Sequence, residues 1–174
     1  REKTHGIPGD EYGRALRERL GPQVTVRVAK TPATEREAIT DVPVVTGGNL
    51  DETLLERAQS LELFACMWAG YDHLPIEKLT DRGVAVTNAA GVHGPNIAEH
   101  VLGAFLAFTR RFFRARRQQQ RQEWRAFQSR ELQGSRVAIV GMGAIGQAIV
   151  ERLEGFDVTT VGVRYSPDKG GPTD

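Results

Sequence analysis

Gly141, Gly143 and Gly146 stand at the spacing G-x-G-x-x-G, and what flanks them matters as much as the glycines themselves. Val137, Ala138, Ile139 and Val140 before them form an apolar run of strand type. After them Ala144, Ile145, Ala148, Ile149 and Leu153 recur at helical spacing. The chemistry open to such a strand–turn–helix is the grip on a pyrophosphate. The first glycine permits the tight turn, the second lets the backbone approach the phosphates, and the third lets the helix pack on the strand. The first N–H groups of the helix, those of Ala144 and Ile145 among them, are then unspent donors at its positive end. A second strand is expected over 158–163, which completes a β-α-β unit. A dinucleotide is the ligand this pattern predicts.

The residue after that second strand discriminates between dinucleotides. An acid about 20 residues beyond the glycines accepts hydrogen bonds from the ribose hydroxyls of NAD. Here Val161-Gly162-Val163 runs into Arg164, Tyr165 and Ser166. A carboxylate would repel a 2′-phosphate, whereas a guanidinium attracts it, donates to it in pairs and can stack on the adenine. Ser166 adds a hydroxyl donor and Lys169 adds charge. NADP is therefore the expected cofactor, with NAD as the alternative.

These groups need elements to hold them, and the composition allows for those. The chain has 174 residues with 40% hydrophobic and 26% charged content, which describes a globular fold and excludes a disordered one. Lys+Arg of 23 against Asp+Glu of 22 gives no global field for a polyanion. No apolar run approaches the roughly 18 residues a membrane span needs. The sole cysteine, Cys66, lies in the apolar run Leu63-Phe64-Ala65-Cys66-Met67 and reads as a core thiol. No metal-ligand spacing is evident. No signal peptide is visible, and a cytoplasmic setting is expected. The chain opens on Arg1, so a natural N-terminus is expected to lie before it. It also stops one β-α-β into a dinucleotide fold that needs further strands, so it is expected to be the N-terminal portion of a longer protein.

Ahead of the glycine motif, helix and strand alternate. Helices are expected over 10–20, over 34–40 with Thr34 as N-cap and Glu37 as its capping-box partner, after Asp51 to residue 60, and over 76–81. Strands are expected over 24–28, 42–45, 61–67 and 84–87. Such alternation implies parallel strands joined by crossover helices. The fold class is α/β: a flavodoxin-like open parallel sheet over 1–92, then a connecting helix and the start of a Rossmann dinucleotide-binding domain over 93–174.

The connecting helix is expected over 95–122. Ile97, Val101, Phe105, Phe108 and Phe112 mark its apolar stripe, widened by Leu102, Leu106 and Phe113. That is more apolar surface than one core-facing stripe needs, and it predicts a homodimer. The helix's second half carries Arg110, Arg111, Arg114, Arg116, Arg117 and Arg121, with Arg125 just beyond. Such a run could grip phosphates. The balanced net charge and the lack of a nucleic-acid motif favour a solvated or inter-subunit helix end instead.

Further blocks resemble the D-isomer-specific 2-hydroxyacid dehydrogenases. They are Ala69-Gly70-Tyr71-Asp72, Leu79-Thr80-Asp81-Arg82-Gly83-Val84-Ala85-Val86-Thr87-Asn88, Ile97-Ala98-Glu99-His100, Trp124, and Glu131-Leu132-Gln133-Gly134 leading into the glycines. They stand in the family's order over 61–166, while 1–60 matches only in its α/β pattern. The resemblance implies hydride transfer between NADP(H) and a 2-keto acid/D-2-hydroxy acid pair. The alternative is a dinucleotide-sensing, corepressor-like binding protein on the same fold. The resemblance also implies that the loop at Ala69, Gly70 and Tyr71 offers backbone N–H groups to the substrate carboxylate. Trp68 and Tyr71 flank it and could shape the pocket. Asn96 falls where relatives carry a Ser or Thr beside the nicotinamide, and Ala144 where many carry an Arg or His on the phosphate. The family's catalytic Arg, Glu and His have no matching position, so no catalytic residue is named in this chain. His100 belongs to a structural block, and His93 sits in a turn.

Overall fold

The computed structural model describes residues 3–4, 7–166 and 168. The chain divides into two compact units, Arg1–Ala90 and Gly91–Asp174.

In the first unit, β1 (Lys3–Thr4) and β2 (Ile7–Pro8) form a short antiparallel pair that leads into α1 (Gly9–Leu20). Asp10 and Glu11 in the first turn, and Arg17 and Arg19 in the last, suit the helix dipole. Then follow α2 (Pro32–Ala38), β3 (Val44–Gly47), α3 (Glu52–Arg57), β4 (Leu63–Cys66), α4 (Ile76–Asp81) and β5 (Ala85–Thr87). The strands lie in the order β3-β4-β5, all parallel, with Val44 opposite Leu63 and Leu63 opposite Ala85. Each connection is a crossover, which is why the helices intervene. The core gathers Leu50, Leu54, Leu55, Phe64, Cys66 and Leu79, with Phe64 and Leu79 wholly buried. Cys66 is a free, buried thiol.

Three expectations in this unit are corrected. Residues 24–28 form no strand. The alternation of Val24, Val26 and Val28 instead places Val26 and Val28 half-buried, with the Val28 side chain against Gly13 of α1. The Arg17 guanidinium donates to the Val26 carbonyl at 2.7 Å, so the segment is held by a helix side chain rather than a ladder. The cap of α2 is Thr31, not Thr34, because Pro32 takes the first helical position. Thr34 is the capping-box partner that Glu37 was expected to be. Helix α3 ends at Arg57 rather than residue 60. Asp51 caps it as expected, accepting from the Leu54 amide at 2.9 Å.

The second unit comprises α5 (Gly94–Thr109), α6 (Phe112–Gln120), β6 (Arg136–Val140), α7 (Ala144–Leu153), a 3₁₀ turn (Glu154–Phe156) and β7 (Thr159–Val163). Strands β6 and β7 are parallel, with Arg136 opposite Thr159 and Val140 opposite Val163. Ala98 on α5, Ile139 on β6, and Ala148, Ile149 and Leu153 on α7 form the core, with Val101, Leu102, Phe105 and Leu106 packed against it. The single connecting helix is corrected to two. Thr109 bonds back to the Phe105 carbonyl at 2.8 Å, and Arg111 adopts a left-handed backbone (φ 56°) that breaks the ladder. The returning Arg130 amide then donates to the Thr109 carbonyl at 3.0 Å. The apolar stripe stops with α5. Phe108, Phe112 and Phe113 are 80%, 55% and 69% exposed, and α6 buries none of its residues.

Candidate functional site

The glycine turn of the second unit joins β6 to α7. The β6–β7 ladder runs one residue past β6, where the Gly141 amide donates to the Val163 carbonyl at 2.7 Å. Gly141 then takes φ +98°, a backbone closed to other residues. Gly143, the helix N-cap residue, faces open space where its side chain would stand, so nothing obstructs a ligand from reaching the backbone. Gly146 has no such room, because a β-carbon there would collide with the Gly141 carbonyl. Each glycine thus has the local geometry that the motif requires at its position.

The amides of Ala144, Ile145 and Gly146 donate to no other described residue, whereas Gln147 already bonds to the Gly143 carbonyl at 3.0 Å. These unspent donors open α7, and no acidic side chain stands in its first turn to neutralise them. The donor set fits a pyrophosphate. Helix α7 is held in place by α5: the β-carbon site of Gly94 lies 3.3 Å from both the Ala144 carbonyl oxygen and the Ala148 methyl. Only a glycine allows that approach without a shift.

Arg164 follows β7 directly and is half-buried. Tyr165 is fully exposed and Ser166 half-buried. Lys169 lies outside the described residues. Asn96 is exposed in the first turn of α5. His93 is the N-cap residue of α5, and both it and His100 are exposed.

In the first unit, Ala69, Gly70 and Tyr71 lie just beyond the C-terminal end of β4, where open α/β sheets bind ligands. The carbonyls around them are occupied. The Ala89 amide donates to the Trp68 carbonyl at 3.1 Å, Asn88 Nδ2 to the Ala69 carbonyl at 2.7 Å, and the Leu74 amide to the Tyr71 carbonyl at 2.9 Å. The amides of Ala69, Gly70 and Tyr71 donate to no other described residue. Gly70 is exposed, with open space at its β-carbon position, and the Tyr71 ring is half exposed. Three consecutive unspent N–H groups beside an open glycine suit an anion. Asn88 is the residue sequence reasoning left without a role here: it lay inside a matching block, and only its bond to Ala69 reveals what it does.

A depression of about 340 Å³ opens near the same sheet edge, lined by Tyr12, Thr46, Met67 and Asn88 among others. Tyr12 and Thr46 share a hydroxyl–hydroxyl bond of 3.1 Å there. Among the described residues no cluster of His, Cys, Asp or Glu is placed to hold a metal. No described helix is long and apolar enough to cross a membrane.

Residues 102–172 match the family model described as D-isomer specific 2-hydroxyacid dehydrogenase, NAD binding domain. The chain belongs to the D-isomer-specific 2-hydroxyacid dehydrogenases. The fold agrees. A crystal structure of a D-isomer-specific 2-hydroxyacid dehydrogenase family protein from Aeromonas salmonicida superposes with a TM-score of 0.82 at 26% identity, covering 95% of this chain and 54% of that one. Two curated relatives in this family are a D-3-phosphoglycerate dehydrogenase and a glyoxylate reductase. The former, from Methanocaldococcus jannaschii, is 30% identical over 148 residues, which is 83% of this chain and 28% of the relative. The latter, from Thermococcus litoralis, is 35% identical over 135 residues, or 72% and 40% respectively. The chain therefore spans well under half the length of these two curated relatives. The match places a nicotinamide dinucleotide site in the second unit.

Proposed function

We propose that the protein carrying this chain transfers a hydride between NADP(H) and a 2-keto acid/D-2-hydroxy acid pair. The first unit would be its substrate domain, and the second the start of its nucleotide domain. The observation that carries this reading is the pairing of two sets of unspent amides on one chain. One set opens α7 behind the glycines, and the other lies at Ala69, Gly70 and Tyr71 beyond β4. The first suits a pyrophosphate and the second a small carboxylate. The names of the relatives, a glyoxylate reductase and a D-3-phosphoglycerate dehydrogenase, fall within the same substrate class.

In this reading Gly141, Gly143, Ala144, Ile145 and Gly146 hold the pyrophosphate. Arg164, Tyr165 and Ser166 face the adenosine ribose, and Asn96 stands by the nicotinamide. The bound dinucleotide supplies or accepts the hydride. The chain's own contribution is to orient: fixed amides grip both anions, so little ordering remains at the moment of reaction. No acid or base is assigned to this chain. The exposed Phe108, Phe112 and Phe113 support a homodimer as the working assembly.

The test is an assay of the purified full-length protein for NADPH oxidation driven by glyoxylate, pyruvate or a branched 2-keto acid. Turnover with any of these, giving the D-hydroxy acid, is the expected result. Tight dinucleotide binding with no turnover across the panel would replace the enzyme with a dinucleotide-sensing binding protein.

A further inference from the structure

We propose that His73 is a positioning residue for the amide loop at Ala69, Gly70 and Tyr71, and that it sets the loop's affinity for a carboxylate. This rests on the carboxylate reading of that loop given above. The loop leaves β4 after Cys66, and the Met67 amide makes one more bond toward β3, to the Gly47 carbonyl at 3.0 Å. From there its upstream arm is held on the β5 side by the Asn88 and Ala89 bonds to Ala69 and Trp68. Its downstream arm is held on the opposite side of β4. There the His73 imidazole bonds through Nε2 to the Gly48 carbonyl at 2.8 Å.

That bond crosses the loop. It ties residue 73 to the end of β3, while residues 68 and 69 are tied to the end of β5. The three unspent amides lie between these two anchors. With both arms fixed, the N–H groups are presented without an ordering cost on binding. With one arm released, the ligand must pay that cost. Leu74, 6% exposed, seats the chain immediately beyond His73, so the imidazole needs only to set the approach of the arm.

Gly48 is the matching half of the device. A β-carbon there would collide with the Trp68 indole, so the indole lies directly on the glycine. Gly48 thereby meets both arms of the loop, the Trp68 indole at its α-carbon and the His73 imidazole at its carbonyl. The carbonyl can only accept, so His73 must present Nε2–H, which both the neutral Nε2–H tautomer and the imidazolium provide.

The test titrates glyoxylate into the ¹⁵N-labelled chain and follows the amide signals of Gly70 and Tyr71. In the wild type both signals are expected to shift and saturate. His73→Leu keeps bulk but loses the donor, and it is expected to weaken glyoxylate binding about five- to tenfold. His73→Gln, whose amide nitrogen reaches a similar position, is expected to restore most of that loss. NADPH binding to the glycine turn, read in the same samples, is expected to stay at the wild-type level in both variants. Wild-type glyoxylate affinity in His73→Leu would overturn the proposal. An absent Gly70 and Tyr71 response in the wild type would instead remove the carboxylate reading beneath it. Should His73→Leu not fold, His73→Ala, which also removes the donor at this exposed position, is expected to weaken glyoxylate in the same way. Unchanged affinity there would equally overturn the proposal.

Discussion

The β-carbon site of Gly146 falls on the carbonyl oxygen of Gly141, so the third glycine of the turn exists to let the first one pass. Replacing Gly146 by Ala must move either the strand end or the start of α7, and overpacking of this kind typically costs about 1–3 kcal/mol. The shift would fall on the amides of Ala144 and Ile145. Gly146→Ala is therefore expected to lower the melting temperature and to weaken NADPH binding by at least about tenfold. Fluorescence titration of the nicotinamide checks it. Unchanged affinity would mean that those amides do not hold the pyrophosphate.

Much of this turn was legible in the sequence because its constraints are local. A strand, three glycines and a helix at fixed spacing leave little freedom. The cap at Asp51 and the crossover pattern of β3, β4 and β5 were readable for the same reason. What failed depended on contacts between distant residues. The stretch 24–28 alternates like a strand, yet a strand needs a partner, and here Arg17 and Gly13 on α1 take up its backbone and side chains instead. The long helix reads continuously from Pro95 because helical spacing does not register a left-handed residue at Arg111. The bond from Arg130 to Thr109 that accompanies the break comes from far along the chain. At the candidate site, Gly70 was visible as a motif. The Asn88 and His73 bonds that frame it join residues 19 and 25 positions apart, and no spacing rule connects those.

A pH prediction follows from the first unit. Arg27 donates to Asp41 at 2.6 Å, and that hydrogen bond, aided by the guanidinium charge, holds the Asp41 carboxyl below its ordinary value against the opposing effect of desolvation. A carboxylate depressed in this way contributes stability that is present above its unfolded pKa and is lost as pH falls through its folded value. The pair is exposed, so the contribution is small and screened by salt. Arg27→Gln is expected to raise the Asp41 pKa towards the ordinary carboxylate value, with the wild-type difference narrowing in high salt. Titration of the Asp41 carboxyl carbon by NMR reads it directly. An unchanged pKa in the variant would show that the ion pair does not form in solution.

Assembly offers a separate test. Phe108, Phe112 and Phe113 expose 80%, 55% and 69% of their surface around the break between α5 and α6. Apolar area of this kind is costly in water, and a two-fold copy of the same surface is the commonest way to cover it. Sedimentation of the full-length protein is expected to show a dimer at micromolar concentration. Phe108→Glu combined with Phe113→Glu is expected to yield monomer while leaving the melting transition of the second unit cooperative, since neither ring lies in the core. A wild-type monomer would sink the dimer.

The proposed preference for NADP rests on Arg164, the residue immediately after β7. The 2′-phosphate of NADP carries close to two negative charges at neutral pH, and a charge-assisted bond to it is worth about 1.5–3 kcal/mol. That corresponds to roughly ten- to a hundredfold in affinity. NAD offers the same guanidinium only ribose hydroxyls, so the difference sets a preference rather than a general gain. Ser166, half-buried two residues on, has a hydroxyl to add, and Tyr165 is fully exposed beside it. Arg164→Asp reverses the sign of the charge at the discriminating position. It is expected to weaken NADPH by at least about tenfold while leaving NADH level or improved, because a carboxylate accepts from the ribose hydroxyls. Arg164→Gln separates charge from shape: the amide still donates, and intermediate discrimination is expected. The measurement is the ratio of kcat/KM for the two cofactors in the full-length protein. A wild-type ratio that favours NADH, or one that Arg164→Asp leaves unmoved, would show that Arg164 has no part in the choice.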